Sequence, residues 1–267
     1  MLFRYNVDTC RYEIFIINRI RDQGYEAGVS KRMAKMDIKR KEKELGSFIG
    51  KILRDHFGKG PGSVFATISP PYITLYIKDF LSPIENKLLD TEQSKHVQKI
   101  RDMLMPALIE EIKVYVKMNT GFDIVEFYYD WNLDSHSGMF AGIISHDNQE
   151  YGSYPNQEDV HNEIIKLSAE AEKPPGEVHS CLLNSKTLII VRNKILIAIE
   201  KEMIQMGFSE NLTLAKRNLE KRLVMQHKHQ IQSYLDAELE NAFVSWDFDL
   251  DKSVFLFILK SNNKRQQ

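Results

Sequence analysis

The strongest constraint on this chain is a pattern that returns. Lys59-Gly60-Pro61-Gly62-Ser63-Val64 comes back 114 residues later (176 − 62) as Lys173-Pro174-Pro175-Gly176-Glu177-Val178, identical at four of six positions. Elements of the same kind, in the same order, surround both loops. In the first half, Leu45, Phe48, Ile49, Ile52, Leu53 and Phe57 recur at three- and four-residue spacing, the apolar face of a helix. Gly58 follows where a left-handed helix cap favours glycine. Val64 to Ile68 reads as a strand broken by Pro70-Pro71. Tyr72 to Lys78 is a second strand, with Ile73, Leu75 and Ile77 on one face and Tyr72, Thr74 and Tyr76 on the other.

Ser82-Pro83-Ile84-Glu85 has the makings of a helix start: a capping serine, a proline at the first helical position and a glutamate that completes a capping box. A further start lies near Asp90 or Thr91. Val97, Ile100, Leu104, Leu108, Ile112 and Tyr115 then hold the helical period to Thr120-Gly121, across Pro106, where a kink is expected. Asp123 to Trp131 and Met139 to Ile144 read as two more strands, giving α-β-β-α-β-β. The second half repeats it. Val160, Ile164, Leu167 and Ala171 give a helix and Thr187 to Arg192 a strand. Asn211 to about Leu239 is a long helix, and Val244 to Leu250 and Val254 to Leu259 are the closing strands. Repeated order at a fixed offset is the mark of a duplicated unit. The expected fold is α+β: two tandem two-layer α/β domains, each with a mainly antiparallel four-stranded sheet. The expected boundaries are an N-terminal extension 1–41, a first domain 42–145, a linker 146–157, a second domain 158–260 and a polar tail 261–267. Within the extension, Tyr12 to Ile17 has strand character but no clear partner.

The Phe57-Gly58-Lys59-Gly60-Pro61 run, Phe80-Leu81-Ser82-Pro83-Ile84-Glu85 and the proline-bearing helix around Pro106 together resemble the MpsC-like family of bacterial proteins. The resemblance covers 42–144 well and 158–260 weakly, where the Gly-Lys-Gly and the Ser-Pro-x-Glu cap are missing. It implies cytoplasmic support of a membrane ion-transport system, and it brings no catalytic residues with it.

Composition narrows the function classes. With 36 Lys+Arg against 37 Asp+Glu the chain lacks the basic field of a dedicated nucleic-acid binder. Two cysteines allow neither a disulfide framework nor a Cys-rich metal site and suit a reducing cytoplasm. No apolar run approaches the ~20 residues of a membrane span, and no signal peptide is evident.

The candidate sites are few. Gly58, Lys59, Gly60, Gly62 and Ser63 could form an anion-binding loop, but the run departs from the Gly-x-x-x-x-Gly-Lys-Ser/Thr pattern. It also follows a helix C-terminus, the wrong end of the dipole for phosphate; a structural turn is the competing reading. Lys31, Arg32, Lys35, Lys39, Arg40, Lys41 and Lys43, against Asp37 and Glu42, form a basic run suited to a partner, to anionic lipid at about 1 kcal/mol per residue, or to solvent. Asp247, Asp249 and Asp251 alternate as if along one strand face, a weak cation signal without an EF-hand's glycine and glutamate. His227 and His229 sit about 200° apart on a helix and would not share a metal. Tyr72, Thr74 and Tyr76 offer a face for bases, for a helix or for the second copy. No cofactor or metal is expected. The leading reading is a non-enzymatic cytoplasmic accessory or regulatory protein, its copies packed as a pseudo-dimer, with peripheral association at the membrane as a further expectation. A nucleic-acid or anionic-ligand binding module is one rival, and an enzyme with a first-domain site gathering His56, Asp79 and Glu85 is another.

Overall fold

Two stacked β-sheets, each backed by its own helices, make up the molecule. The computed structural model describes residues 26–145 and 152–261, so the strand expected at Tyr12 to Ile17 lies outside the described residues. The first half runs α1 (Glu26–Phe57), β1 (Ser63–Ser69), β2 (Tyr72–Lys78), α2 (Pro83–Asp90), α3 (Ser94–Thr120), β3 (Ile124–Asn132) and β4 (Ser137–Ile144). The second runs α4 (Gln157–Ala171), β5 (Glu177–Asn184), β6 (Thr187–Asn193), α5 (Ala198–Gln205), α6 (Ser209–Leu235), β7 (Ala237–Asp247) and β8 (Lys252–Ser261). Both sheets are antiparallel and share one topology, β1-β2-β4-β3 and β5-β6-β8-β7. The α+β reading therefore holds, with the long second helix of each half preceded by a short one.

Two differences from the sequence reading have physical causes. The basic run lies inside α1 rather than ahead of it, because the helix already begins at Glu26. Helix α6 stops at Leu235, where Asp236 takes φ 46, and Leu239 belongs to β7. Pro106 lies inside α3, as expected of a helix from Ser94 to Thr120, on its exposed side.

The likeness of the halves goes deeper than element order. Left-handed residues stand at Asp79, Glu92, Gly121 and His136, and again 115 residues on at Lys194, Gly207, Asp236 and Asp251 (194 − 79 and 251 − 136 both give 115). The chain's two tryptophans, Trp131 and Trp246, keep the same spacing. So do the register shifts between Ile124 and Glu126 and between Leu239 and Asn241. The short helix is tied to the long one by Glu85–Arg101 in one half and Glu200–Lys216 in the other. Ser82 and Glu85 complete a capping box. In the second half Ile197 has no side-chain acceptor, yet Glu200 still accepts from the Ile197 N–H at 3.0 Å, so half of the cap survives a sequence in which it looked lost.

Strand alternation explains the layers. Ile73, Leu75 and Ile77 face Leu45, Ile49, Leu53, Leu108 and Ile112 on α1 and α3. Leu188 and Ile190 face Ile164, Leu167, Val224 and Ile231 on α4 and α6 in the same way. The opposite faces meet each other: Tyr72, Tyr76, Tyr128, Met139 and Ile143 pack on Ile189, Val191, Phe243, Leu256 and Ile258. The order of layers is helix, sheet, sheet, helix. Tyr72, Thr74 and Tyr76 thus lie against the second sheet, buried, and are unavailable for stacking on bases.

Along the β3 and β7 edges the sheets are stitched reciprocally. The Tyr129 N–H donates to Ser245 Oγ at 3.3 Å, and the Val244 N–H donates to Asp130 Oδ2 at 3.0 Å. Arg217 pairs with Asp102, the residue 115 positions before it, at 3.5 Å. Asp130 is fully buried and also receives Lys221 at 2.7 Å and Arg217 Nε at 3.0 Å, the latter an ion pair without hydrogen-bond alignment. Replacing Asp130 with Ala leaves two cations facing a dry interface. The expected loss is about 3–5 kcal/mol of unfolding free energy, measured by urea denaturation, whereas Lys99→Ala at the exposed Lys99–Glu210 pair changes almost nothing.

Candidate functional site

On the side away from the β3–β7 seam the sandwich is open. There a cleft of about 880 Å3 separates β1 from the β5–β6 hairpin. Its walls come from α1, from both sheets and from the Asn184–Lys186 turn. Phe65, Ile68, Leu183, Leu256, Ile258 and Leu259 supply apolar surface, and Thr67, Thr74, Tyr76, Asn184 and Thr187 supply hydroxyl and amide groups. Strand β1 contributes through its alternation: Val64, Ala66 and Ile68 pack on the helix side, while Phe65 and Thr67 share the face of Tyr76 and Thr74, and Phe65, 55% exposed, lies against the Tyr76 ring with centroids 6.2 Å apart. One side-chain bond crosses the cleft, from Asn184 Nδ2 to Thr67 Oγ1 at 3.0 Å. At the inner end Lys78 Nζ holds Glu240 at 2.8 Å, and Tyr76 Oη accepts from Asn241 Nδ2 at 2.9 Å. Burial pushes the Tyr76 hydroxyl pKa up, against the Asn241 hydrogen bond, so it stays protonated. The volume suits one small molecule or a single chain segment.

The sequence-predicted loop is a turn. Gly58 has φ 72 and donates to Arg54 O at 2.9 Å, and the Gly62 N–H donates to Lys78 O at 3.0 Å. A Cβ at Gly62 would meet Asp79 Cβ at 2.9 Å, and at Gly176 it would meet Lys194 Cβ, again at 2.9 Å. This close approach explains why the glycine returns in both halves. Lys59 is exposed at the turn, with Gly60 and Ser63 half-buried beside it, away from the cleft. Within the basic run, Lys39, Arg40 and Lys43 are exposed. Arg40 and Lys41 both pair with Asp37, at 2.6 and 3.2 Å, and Lys39 reaches the cleft. The residues Lys31, Arg32 and Lys35 belong to the same helix.

The enzymatic grouping does not assemble. His56 pairs with Glu111 at 3.0 Å, Glu85 is bound to Arg101 and Ser82, and Asp79 is exposed at the end of β2. The aspartate ladder fails too, because β7 ends at Asp247. Asp247 accepts from the Leu250 N–H, and Asp251 accepts from the Leu196 N–H and pairs with Lys201. Among the described residues no group of three His, Cys, Asp or Glu is placed to hold a metal ion.

Sequence reasoning missed two polar groups, both in the second half. His161 Nε2 lies 2.7 Å from Ser180 Oγ, which also meets the Tyr154 hydroxyl at 2.7 Å. Ser180 is 1% exposed, so this is an interior knot rather than an accessible nucleophile. The larger group is a buried charge cluster. Arg192 bonds Glu220 at 2.5 Å, Ser168 and Ser253 at 2.8 Å each, and lies 4.3 Å from the Phe255 ring. Lys216 bonds Glu172 at 2.5 Å and Glu200 at 2.7 Å, with Glu220 3.9 Å away. Three carboxylates thus share two cations in a dry interior. Burial, with the neighbouring Glu200 carboxylate, raises the Glu172 pKa to about 7 against the pull of Lys216. The equivalents of Arg192 and Glu220 in the first half are Ile77 and Met105, so a periodicity search sees only two more interior positions there.

Compared with known families, residues 38–146 match the family model described as Na+-translocating membrane potential-generating system (MpsC). No curated protein and no solved structure matches the chain. Among the described residues no helix is long and apolar enough to cross a membrane.

The charge cluster sets a pH dependence. A carboxyl whose folded pKa is raised contributes full stability below its ordinary value near 4.5 and loses it as pH rises through about 7. His227 acts in the same sense. Burial lowers its pKa, but Glu163 at 2.7 Å and Glu170 at 3.2 Å raise it further, and the net shift is upward. The contribution of these two groups to unfolding free energy is therefore expected to fall between about pH 5 and 8, opposed by His161, whose pKa burial lowers. In urea titrations across that range Glu172→Gln flattens the fall and His227→Gln flattens what remains. Equal slopes in wild type and both variants would contradict this assignment.

Proposed function

From the match of residues 38–146 to the MpsC family model, we propose that the chain is a non-catalytic accessory component of a membrane-potential-linked transport system. It works from the cytoplasmic side as a single rigid body made of two copies of one domain. The observation that carries this reading is the fate of its ionisable groups. The buried ones are consumed in structural pairs: Glu85 with Arg101, Asp130 with Arg217 and Lys221, and Arg192 with Glu220. The open concavity, by contrast, is lined by aliphatic, aromatic, hydroxyl and lysine side chains, and its two carboxylates are engaged, Glu42 with the Ile68 N–H and Glu240 with Lys78. That lining binds; it offers no base beside a nucleophile.

The tandem copies are, on this reading, a duplication that joined the halves of an ancestral homodimer. The support is the reciprocal Tyr129–Ser245 and Val244–Asp130 bonds and the contact of Asp102 with Arg217. In an isologous interface residue i meets j and j meets i, and a residue on the axis meets its own equivalent. The link to ion transport comes from the family description alone, an associational warrant.

The test uses the full chain and native membrane vesicles stripped of peripheral proteins. Saturable binding that is lost when the vesicles are treated with protease, and absent from liposomes of the same lipids, is expected. Binding to the liposomes alone, or to nucleic acid with steep salt dependence and not to the vesicles, would overturn the proposal.

A further inference from the structure

The cleft between the sheets combines features that specify a ligand class. Its apolar lining is offered by Phe65 and Leu183, which are accessible, and is backed by Leu256, Ile258 and Ile68, which are buried beneath them. Its carboxylates are already engaged. Glu42 accepts from the Ile68 N–H at 2.9 Å and so covers a backbone donor on the open edge of β1, while Glu240 is held by Lys78. Its outer cations are not. Lys39 on α1 and Lys186 on the β5–β6 turn both line the cleft, one from each half of the chain, and both are exposed. Among the described residues neither has a carboxylate partner, whereas Arg40 and Lys41, three and four residues after Asp37, both pair with it.

An aliphatic trough with uncompensated ammonium groups at its mouth is complementary to a molecule with a hydrocarbon tail and one anionic head. Each methylene moved from water into such a trough is worth about 0.8 kcal/mol, and the cations favour a carboxylate or phosphate over a neutral head. A cleft of about 880 Å3 with walls on three sides takes one such molecule, not a bilayer surface. Resting on the reading that the protein is a binding component and naming what its cleft takes, we propose that it binds a single long-chain anionic amphiphile of the fatty-acid type. The tail lies in the cleft along Phe65 and Leu183, over Leu256 and Ile258, and the head lies between Lys39 and Lys186. The Thr67 hydroxyl on the β1 wall and the Asn184 amide and Thr187 hydroxyl on the facing wall make up the polar part of the lining that a carboxylate would share.

The experiment measures displacement of the fluorescent acid 11-dansylaminoundecanoate from the full chain by palmitate, by hexadecanol and by phosphatidylglycerol vesicles. Palmitate is expected to displace it at one molecule per chain, and hexadecanol about tenfold more weakly or worse. The variant Lys39→Glu/Lys186→Glu, altered only at exposed positions, should keep its thermal unfolding temperature and lose at least about tenfold in palmitate affinity. Phe65→Asp should weaken both competitors together. Equal affinity for acid and alcohol, or unchanged affinity in the lysine variant, overturns the anionic head. Displacement by vesicles alone, or no binding of the probe, overturns the site. If palmitate fails while protease-sensitive binding to native membrane vesicles persists, only this inference falls; if both fail, the accessory role falls with it.

Discussion

The structure depends on covering two sheet faces that neither half can leave in water. Each sheet has an apolar face for its own helices and a second apolar face left over. On β2 that second face carries Tyr72, Thr74 and Tyr76, and on β6 it carries Ile189 and Val191. Stacking the sheets buries both at once. It also brings polar edges into a dry seam, where each exposed donor needs a partner. Asp130 meets that need from one side and Ser245 from the other. The aspartate then requires its own compensation, which Arg217 and Lys221 bring from α6. One buried carboxylate thereby links a strand of the first sheet, a strand of the second and the long helix of the second half.

Comparing the halves separates what the architecture demands from what it tolerates. The demand is seen in Glu85–Arg101 and Glu200–Lys216, in the left-handed turns, and in Trp131 and Trp246, both of whose indole Nε1 atoms are buried without a hydrogen-bond partner among the described residues. The tolerance is seen where Ile77 and Met105 correspond to Arg192 and Glu220. An apolar pair and a bonded ion pair fill the same place, as expected if a buried pair is about neutral against hydrocarbon but costly when halved.

Much of this was legible from the chain. The helix faces, the strand alternation and the returning Gly-x-Val turn placed the layers, because period and turn chemistry are local. The repeat could have been read more deeply: two tryptophans at one offset, and a Glu followed sixteen residues later by a cation in each half, are sequence facts. What stayed hidden depends on partners distant in the chain. Asp130 reads as a polar residue in an ordinary strand until Arg217, Lys221 and Val244 arrive from more than eighty residues away. Gly58 to Ser63 drew attention through composition, whereas the cleft is built from residues such as Phe65, Leu183 and Ile258 that carry no signal alone.

The cleft exists because the two sides of the sandwich are closed unequally. Along β3 and β7 the reciprocal bonds and four charged side chains draw the edges together. Across β1 and β5, among the described residues, the Asn184–Thr67 side-chain bond does so, and the donor at Ile68 is covered from within its own half by Glu42. With β1 and β5 apart, Phe65 on the inter-sheet face of β1 is left uncovered in the cleft. A seam that is tight on one side holds the other open at a set width. That is the preorganisation a binding site needs, since the cost of keeping the walls apart is met in folding rather than in binding.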